Sequence, residues 1–164
     1  VRIEILPARV PTALAILSIQ GIDNRELNPA IEKQLATQQL LPASPQNALG
    51  DLLQVIEARH RVRMQAFDMV TLPANVDLVT VANGQVALQT ATTALAPNLD
   101  AKSSRVLIIV GDAAATEEMV HATGQELQRK LKAFFGVQAR LQFRTSQETH
   151  QQRVETRRED APAD

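Results

Sequence analysis

Leu27, Ile31 and Leu35 recur at four-residue spacing and lay one apolar stripe along a helix. Asn28-Pro29 stands at its head as cap and first helical residue, where proline's missing N–H costs nothing. The pattern predicts a helix from there to about residue 40. Ser44-Pro45 repeats the start signal, and Leu49, Leu52, Leu53 and Ile56 carry a second stripe to about His60. The short linker 41–43 predicts that the two helices pack as a hairpin. A third stripe, Val120, Leu127, Leu131 and Phe134 with Gly124 on the same side, predicts a long helix over about 113–135. Glu117 and Glu118 near its start and Arg129, Lys130 and Lys132 near its end complement the helix dipole, and Gly136 is its expected stop.

Elsewhere the period is two. Residues 2–6 alternate, and so does 137–143, with Val137, Ala139, Leu141 and Phe143 on one face and Gln138, Arg140 and Gln142 on the other. Residues 106–110 (VLIIV) form a continuous apolar strand, and 62–72 is extended up to Pro73. Asn83-Gly84 between 76–82 and 85–92 signals a hairpin. A two-residue loop there pairs Val81 with Val86 and Val79 with Leu88 on one core-facing side. Residues 12–19 (TALAILSI) are apolar on nearly every side, which fits a buried strand or a buried helical turn equally well.

These elements predict an α+β two-layer sandwich: a small mixed sheet covered on one face by helices, with a C-terminal strand–helix–strand unit. The chain divides into an N-terminal strand and helical region at 1–43, a core domain at 44–144 and a polar, flexible tail at 145–164, whose one large aliphatic residue is Val154. The element order over 45–143 resembles the ferredoxin-like domains of pilus and secretion assembly platforms, in order alone and with no motif behind it.

The 164 residues carry 17 Lys+Arg against 18 Asp+Glu, a formal charge of −1 that argues against a general grip on nucleic acid or anionic membrane. With four Phe, no Trp and no Tyr, stacking platforms for bases or sugars are nearly absent. The lack of cysteine removes disulfides, thiolate metal sites and cysteine nucleophiles. No apolar run approaches the roughly 20 residues of a membrane span. The chain opens on Val1, which is compatible with a leader or anchor removed from a longer precursor; the cytoplasm is the favoured compartment and a periplasmic fragment the alternative.

Candidate chemistry is sparse. His60, His121 and His150 are far apart in sequence and form no metal-binding spacing, so neither a metal nor a cofactor is expected. No serine sits in a nucleophile-elbow motif. Ser44 suits a helix cap and Ser103-Ser104 a connector. Arg59, Arg61 and Arg63 alternate through a helix-to-strand junction and suit a charged edge better than a phosphate contact. Gly111, Asp112 and Ala113 form a strand-to-helix turn where free N–H groups could bind an anion, although Asp112 can occupy the same groups as a cap. The favoured function is therefore non-catalytic: a protein-interaction or assembly domain, a homo-oligomer or adaptor, with Gln138, Arg140 and Gln142 on the last strand as the partner contact. The alternative is a small α/β enzyme or phosphate-ligand-binding domain using the 110–115 turn.

Overall fold

The computed structural model describes residues 1–24, 28–38, 47–91 and 93–156. The 41–43 linker, Ser44-Pro45, Leu27 and the final residues 157–164 lie outside them. Two sheets and three helices make an α+β fold, as the periodicities predict. The first sheet, A, is mixed and contains β1 (Arg2–Ile5), β4 (Asn75–Thr80), β5 (Val86–Gln89), β6 (Ala94–Leu95) and β9 (Gln152–Glu155), in the order β6-β5-β4-β1-β9. The second, B, is antiparallel and contains β2 (Ala13–Gln20), β3 (Met64–Asp68), β7 (Arg105–Val110) and β8 (Arg140–Thr145), in the order β3-β7-β2-β8. Helices α1 (Pro29–Thr37) and α2 (Ala48–His60) join β2 to β3, and α3 (Glu117–Phe135) joins β7 to β8. The split β-α-β connectivity of sheet B is that of a ferredoxin-like layer. The segments 1–43, 44–144 and 145–156 all contribute strands, and β2 sits between β7 and β8.

The two central strands of sheet B, β7 and β2, are buried on both faces, which explains why 12–19 and 106–110 read as continuous apolar runs. From β2 and β7, Ala15, Leu17, Ile19, Val106, Ile108 and Val110 pack under the helices with Leu49, Leu52, Ile56, Val120, Leu127 and Leu131. Leu14, Ile16, Leu107 and Ile109 point the other way, against Ile3, Ile5, Val76, Leu78, Val86, Leu88 and Val154 of sheet A. Gly124 permits the close seating of α3, since a Cβ there would lie 3.1 Å from both the Ala15 methyl and the Phe143 ring.

Local signals set most helix ends. Asn28 caps α1 through Ala30 and Ile31 N–H, and Gly136 ends α3 in the left-handed region at φ 69°. Asn47, not Ser44, is the observed cap of α2, accepting from Gly50 N–H. Helix α3 starts at Glu117, four residues later than the stripe predicts, because Asp112 closes a separate turn and Thr116 then caps the helix.

Two expectations are corrected. The hairpin pairs Thr80 with Val86 and Leu78 with Leu88, one residue away from the predicted register. Its loop has three residues, 82–84, closed by Val81 N–H on the Gln85 carbonyl and Gly84 N–H on the Val81 carbonyl, with Gly84 at φ 87°. Asn-Gly suits either loop, and the slip turns Val79 and Val81 out of the core. The second correction concerns 145–164, expected to supply no core. Residues 152–155 form β9 on β1, and Val154, opposite Ile3, is 1% exposed. Arg153 and Glu155 meet Glu4 and Arg2 on the solvent face, so one inward residue suffices for the strand.

Candidate functional site

At the end of the sandwich where β1, β4 and β7 finish, three connections converge around a cleft of about 480 Å3. The loop crossing from sheet A to sheet B supplies Pro7, Ala8, Arg9 and Val10; the hairpin supplies Thr80, Val81, Ala82 and Gly84; the β7–α3 turn supplies Ala113. Because 7–10 belongs to neither sheet and the hairpin register turns Val81 outward, Val10 and Val81 are 57% and 42% exposed. Among the described residues they and Val70 are the exposed large hydrophobic side chains. Arg9 is the one charged residue on the lining.

Hydrogen bonds hold the walls. Ala8 N–H donates to the Gln147 carbonyl at 2.9 Å and Ala113 N–H to the Gly84 carbonyl at 2.8 Å. Thr80 Oγ1 donates to Thr12 Oγ1, which donates to the Val10 carbonyl at 3.1 Å. Gly111, at φ 130°, lets β7 pass Ala13 so closely that a Cβ would lie 2.4 Å from the Ala13 carbonyl oxygen.

That turn is where an anion site was expected on Gly111, Asp112 and Ala113. Its N–H groups already have acceptors within the chain. Ala113 N–H goes to Gly84, and Ala114 and Ala115 N–H go to Asp112 Oδ1 at 2.8 and 3.1 Å. The turn therefore anchors the hairpin instead of presenting donors outward, as the cap reading of Asp112 anticipates.

The expected partner contact on the last strand has a different setting as well. β8 is an edge of sheet B. Gln138 precedes it and is exposed, but Gln142 donates its amide to the Glu155 carbonyl, and Arg140 is half-buried with Nη1 shielded from solvent. The Phe143 carbonyl accepts from Arg144, and the Thr145 carbonyl from Gln152 at 2.6 Å. On the opposite edge, Asn98 N–H donates to the Ala66 carbonyl and Asn98 Oδ1 accepts from Asp68 N–H. Side chains and connectors thus occupy groups on both edges that a partner strand would need.

Helices α2 and α3 are tied by Glu126, a buried carboxylate contacted by Arg59 and His60, which sequence spacing did not show. No cavity adjoins it among those described, and its geometry is that of a helix clamp. His121 stacks on Phe143 with centroids 4.0 Å apart, and His150 meets Thr149 at the surface. Among the described residues no three His, Cys, Asp or Glu gather to hold a metal, and no helix is long and apolar enough to cross a membrane.

Burial pushes the Glu57 carboxyl above its ordinary 4.5, against the opposing pull of Arg63 and the Met64 N–H. A raised folded-state value means that stability is full below the ordinary pKa and falls as pH rises through the folded one. Glu57→Gln should therefore match wild type below the ordinary carboxylate value, gain on it as pH rises until Glu57 ionises in the folded chain, and keep a constant advantage above that, read by urea denaturation at each pH.

No family model and no curated protein matches this chain.

Proposed function

We propose that this chain is a non-catalytic association domain whose contact surface is the cleft formed by 7–10, 80–84 and Ala113. The observation that carries this reading is that, of the three exposed large aliphatic side chains among the described residues, two, Val10 and Val81, face one concavity. Grouped exposed apolar side chains lose free energy to water that a partner's apolar side chain recovers. The hydrogen-bonded walls add to this, since a surface already held in its bound shape has less entropy to lose on docking.

The absence of cysteine makes the test clean. Ala82→Cys carrying a photo-crosslinker is irradiated with the pure chain and with an extract of source cells, alongside Lys33→Cys on α1. The expected result is a discrete adduct from position 82, absent from position 33 and abolished by Val10→Asp together with Val81→Asp. No discrete adduct from position 82 in either mixture, or one indifferent to those substitutions, overturns the reading.

A further inference from the structure

Resting on that reading, the hydrogen-bond donors of the cleft specify the chemistry of its occupant. We propose that the cleft receives the carboxyl-terminal end of a partner polypeptide, with an aliphatic last residue against Val10 and Val81 and the terminal carboxylate on Arg9. Other arginines of the chain are already matched: Arg2, Arg59 and Arg153 meet Glu155, Glu126 and Glu4. Arg9 is exposed on the cleft lining and its guanidinium makes no ion pair or hydrogen bond among the described residues. The backbone of the crossing loop repeats the contrast. Ala8 N–H donates to the Gln147 carbonyl and Thr12 N–H to Ser146 Oγ at 2.9 Å, and Pro7 and Pro11 have no N–H to place. The N–H groups of Arg9 and Val10, between them, have no acceptor among the described residues. Successive amide donors beside a guanidinium suit a ligand group that only accepts, and an ionised carboxylate is such a group.

The chain's own acids leave that charge unanswered. Asp112, next to Ala113, accepts Ala114 and Ala115 N–H through Oδ1 and so turns back into its own turn. Neither it nor Glu148, next to Gln147, lines the cleft or pairs with Arg9. The adjacency of Arg9 and Val10 then selects a chain end over an internal acid. A last residue carries its aliphatic side chain and its carboxylate on one Cα, so the two arrive together at neighbouring residues of the cleft. An internal Asp or Glu puts its carboxylate where the aliphatic group should stand, and it brings a peptide group on each side into a recess walled by Pro7, Ala8, Ala82 and Ala113. Those peptide groups would need hydrogen bonds there or cost free energy. A volume of about 480 Å3 is that of a site for a small ligand or the end of a chain, not for a broad protein face. Pro7 and Pro11 bracket the loop and restrict its backbone, so Arg9 and Val10 have less freedom to lose when the terminus docks.

Fluorescence anisotropy tests this with a dye-labelled peptide, Gly-Ser-Gly-Ala-Val with a free carboxylate, and the same peptide closed as an amide. Both are titrated with the full chain and with its Arg9→Gln and Val81→Asp variants. The two substituted positions are exposed, and unchanged thermal unfolding will confirm that each variant folds. The acid peptide should bind about tenfold or more tighter than the amide. Arg9→Gln should bring the acid peptide down to the level of the amide and leave the amide unchanged, whereas Val81→Asp should weaken both. Unlabelled acid peptide should displace the probe at far lower concentration than octanoate does. No binding of the acid peptide up to about 1 mM, acid and amide peptides that bind alike, or an Arg9→Gln chain that keeps its preference for the acid overturns the inference. Octanoate that competes as well as the peptide also overturns it, and makes the ligand a free aliphatic acid. Any of these failures with a persisting adduct from position 82 leaves the cleft as a contact for a partner of other chemistry. Failure together with loss of that adduct removes the association reading itself.

Discussion

Ending the chain after Arg144 should unfold it or leave it grossly destabilised, although the segment removed is among the most polar in the sequence. The truncation takes β9 from sheet A and strips β1 of its antiparallel partner. It uncovers Ile3 and Ile5, which are 0% and 1% exposed in the fold. It also removes Ser146, whose hydroxyl accepts Thr12 N–H and whose N–H donates to the Thr12 carbonyl, and Thr156, which ties Val1 and Ser18. Against a total stability of about 5–15 kcal/mol for a domain, losing a strand, a covered hydrophobic face and several buried hydrogen bonds leaves little margin. Val154→Ala isolates the burial contribution and should cost about 2 kcal/mol, from lost transfer free energy and the cavity left behind. Circular dichroism and urea melts of both proteins check it. A truncated chain with unchanged melting would show that β9 merely rests on the sheet.

What could be read in the sequence was whatever one element decides alone. Asn28-Pro29, the stripe from Val120 to Phe134 and Gly136 specify α1 and α3 through local hydrogen bonds and one-sided burial, and both helices are present. The α+β class followed from the same periods. What could not be read depends on a second element. β2 carries no period because the helices cover one face and sheet A the other. β9 shows a single apolar residue because its outward side chains are matched in charge by Arg2 and Glu4, a pairing visible once the register with β1 is known. The cleft depends on a one-residue choice of hairpin loop that Asn83-Gly84 permits either way. Glu126 looks like an ordinary helix-surface acid until α2 places Arg59 and His60 over it.

Gly111→Ala should be among the most damaging single substitutions available, and its effect should reach the cleft. Two costs combine at this position. A φ of 130° lies in a region that side-chain-bearing residues rarely adopt, which costs on the order of 1–3 kcal/mol. The added methyl would also stand 2.4 Å from the Ala13 carbonyl oxygen, a backbone atom of the central strand β2 that cannot rotate aside. Gly136→Ala is the matched comparison, since φ is 69° there and nothing lies within 4 Å of the new methyl. It should cost roughly 1 kcal/mol, the ordinary penalty of a left-handed residue with a side chain. The excess measured at Gly111, expected to be about 2 kcal/mol or more in urea denaturation, reports the close passage of β7 over β2. Relief of the clash requires β7 to move away from β2, and Ala113 moves with it. The Ala113 bond to the Gly84 carbonyl then breaks, and the hairpin wall that carries Val81 loosens. Amide exchange of Ala113 and Val81 should accelerate in Gly111→Ala well beyond the change at Ile108 in the strand centre. Equal acceleration at all three would mean that the hairpin is held by its own turn and not by residue 113.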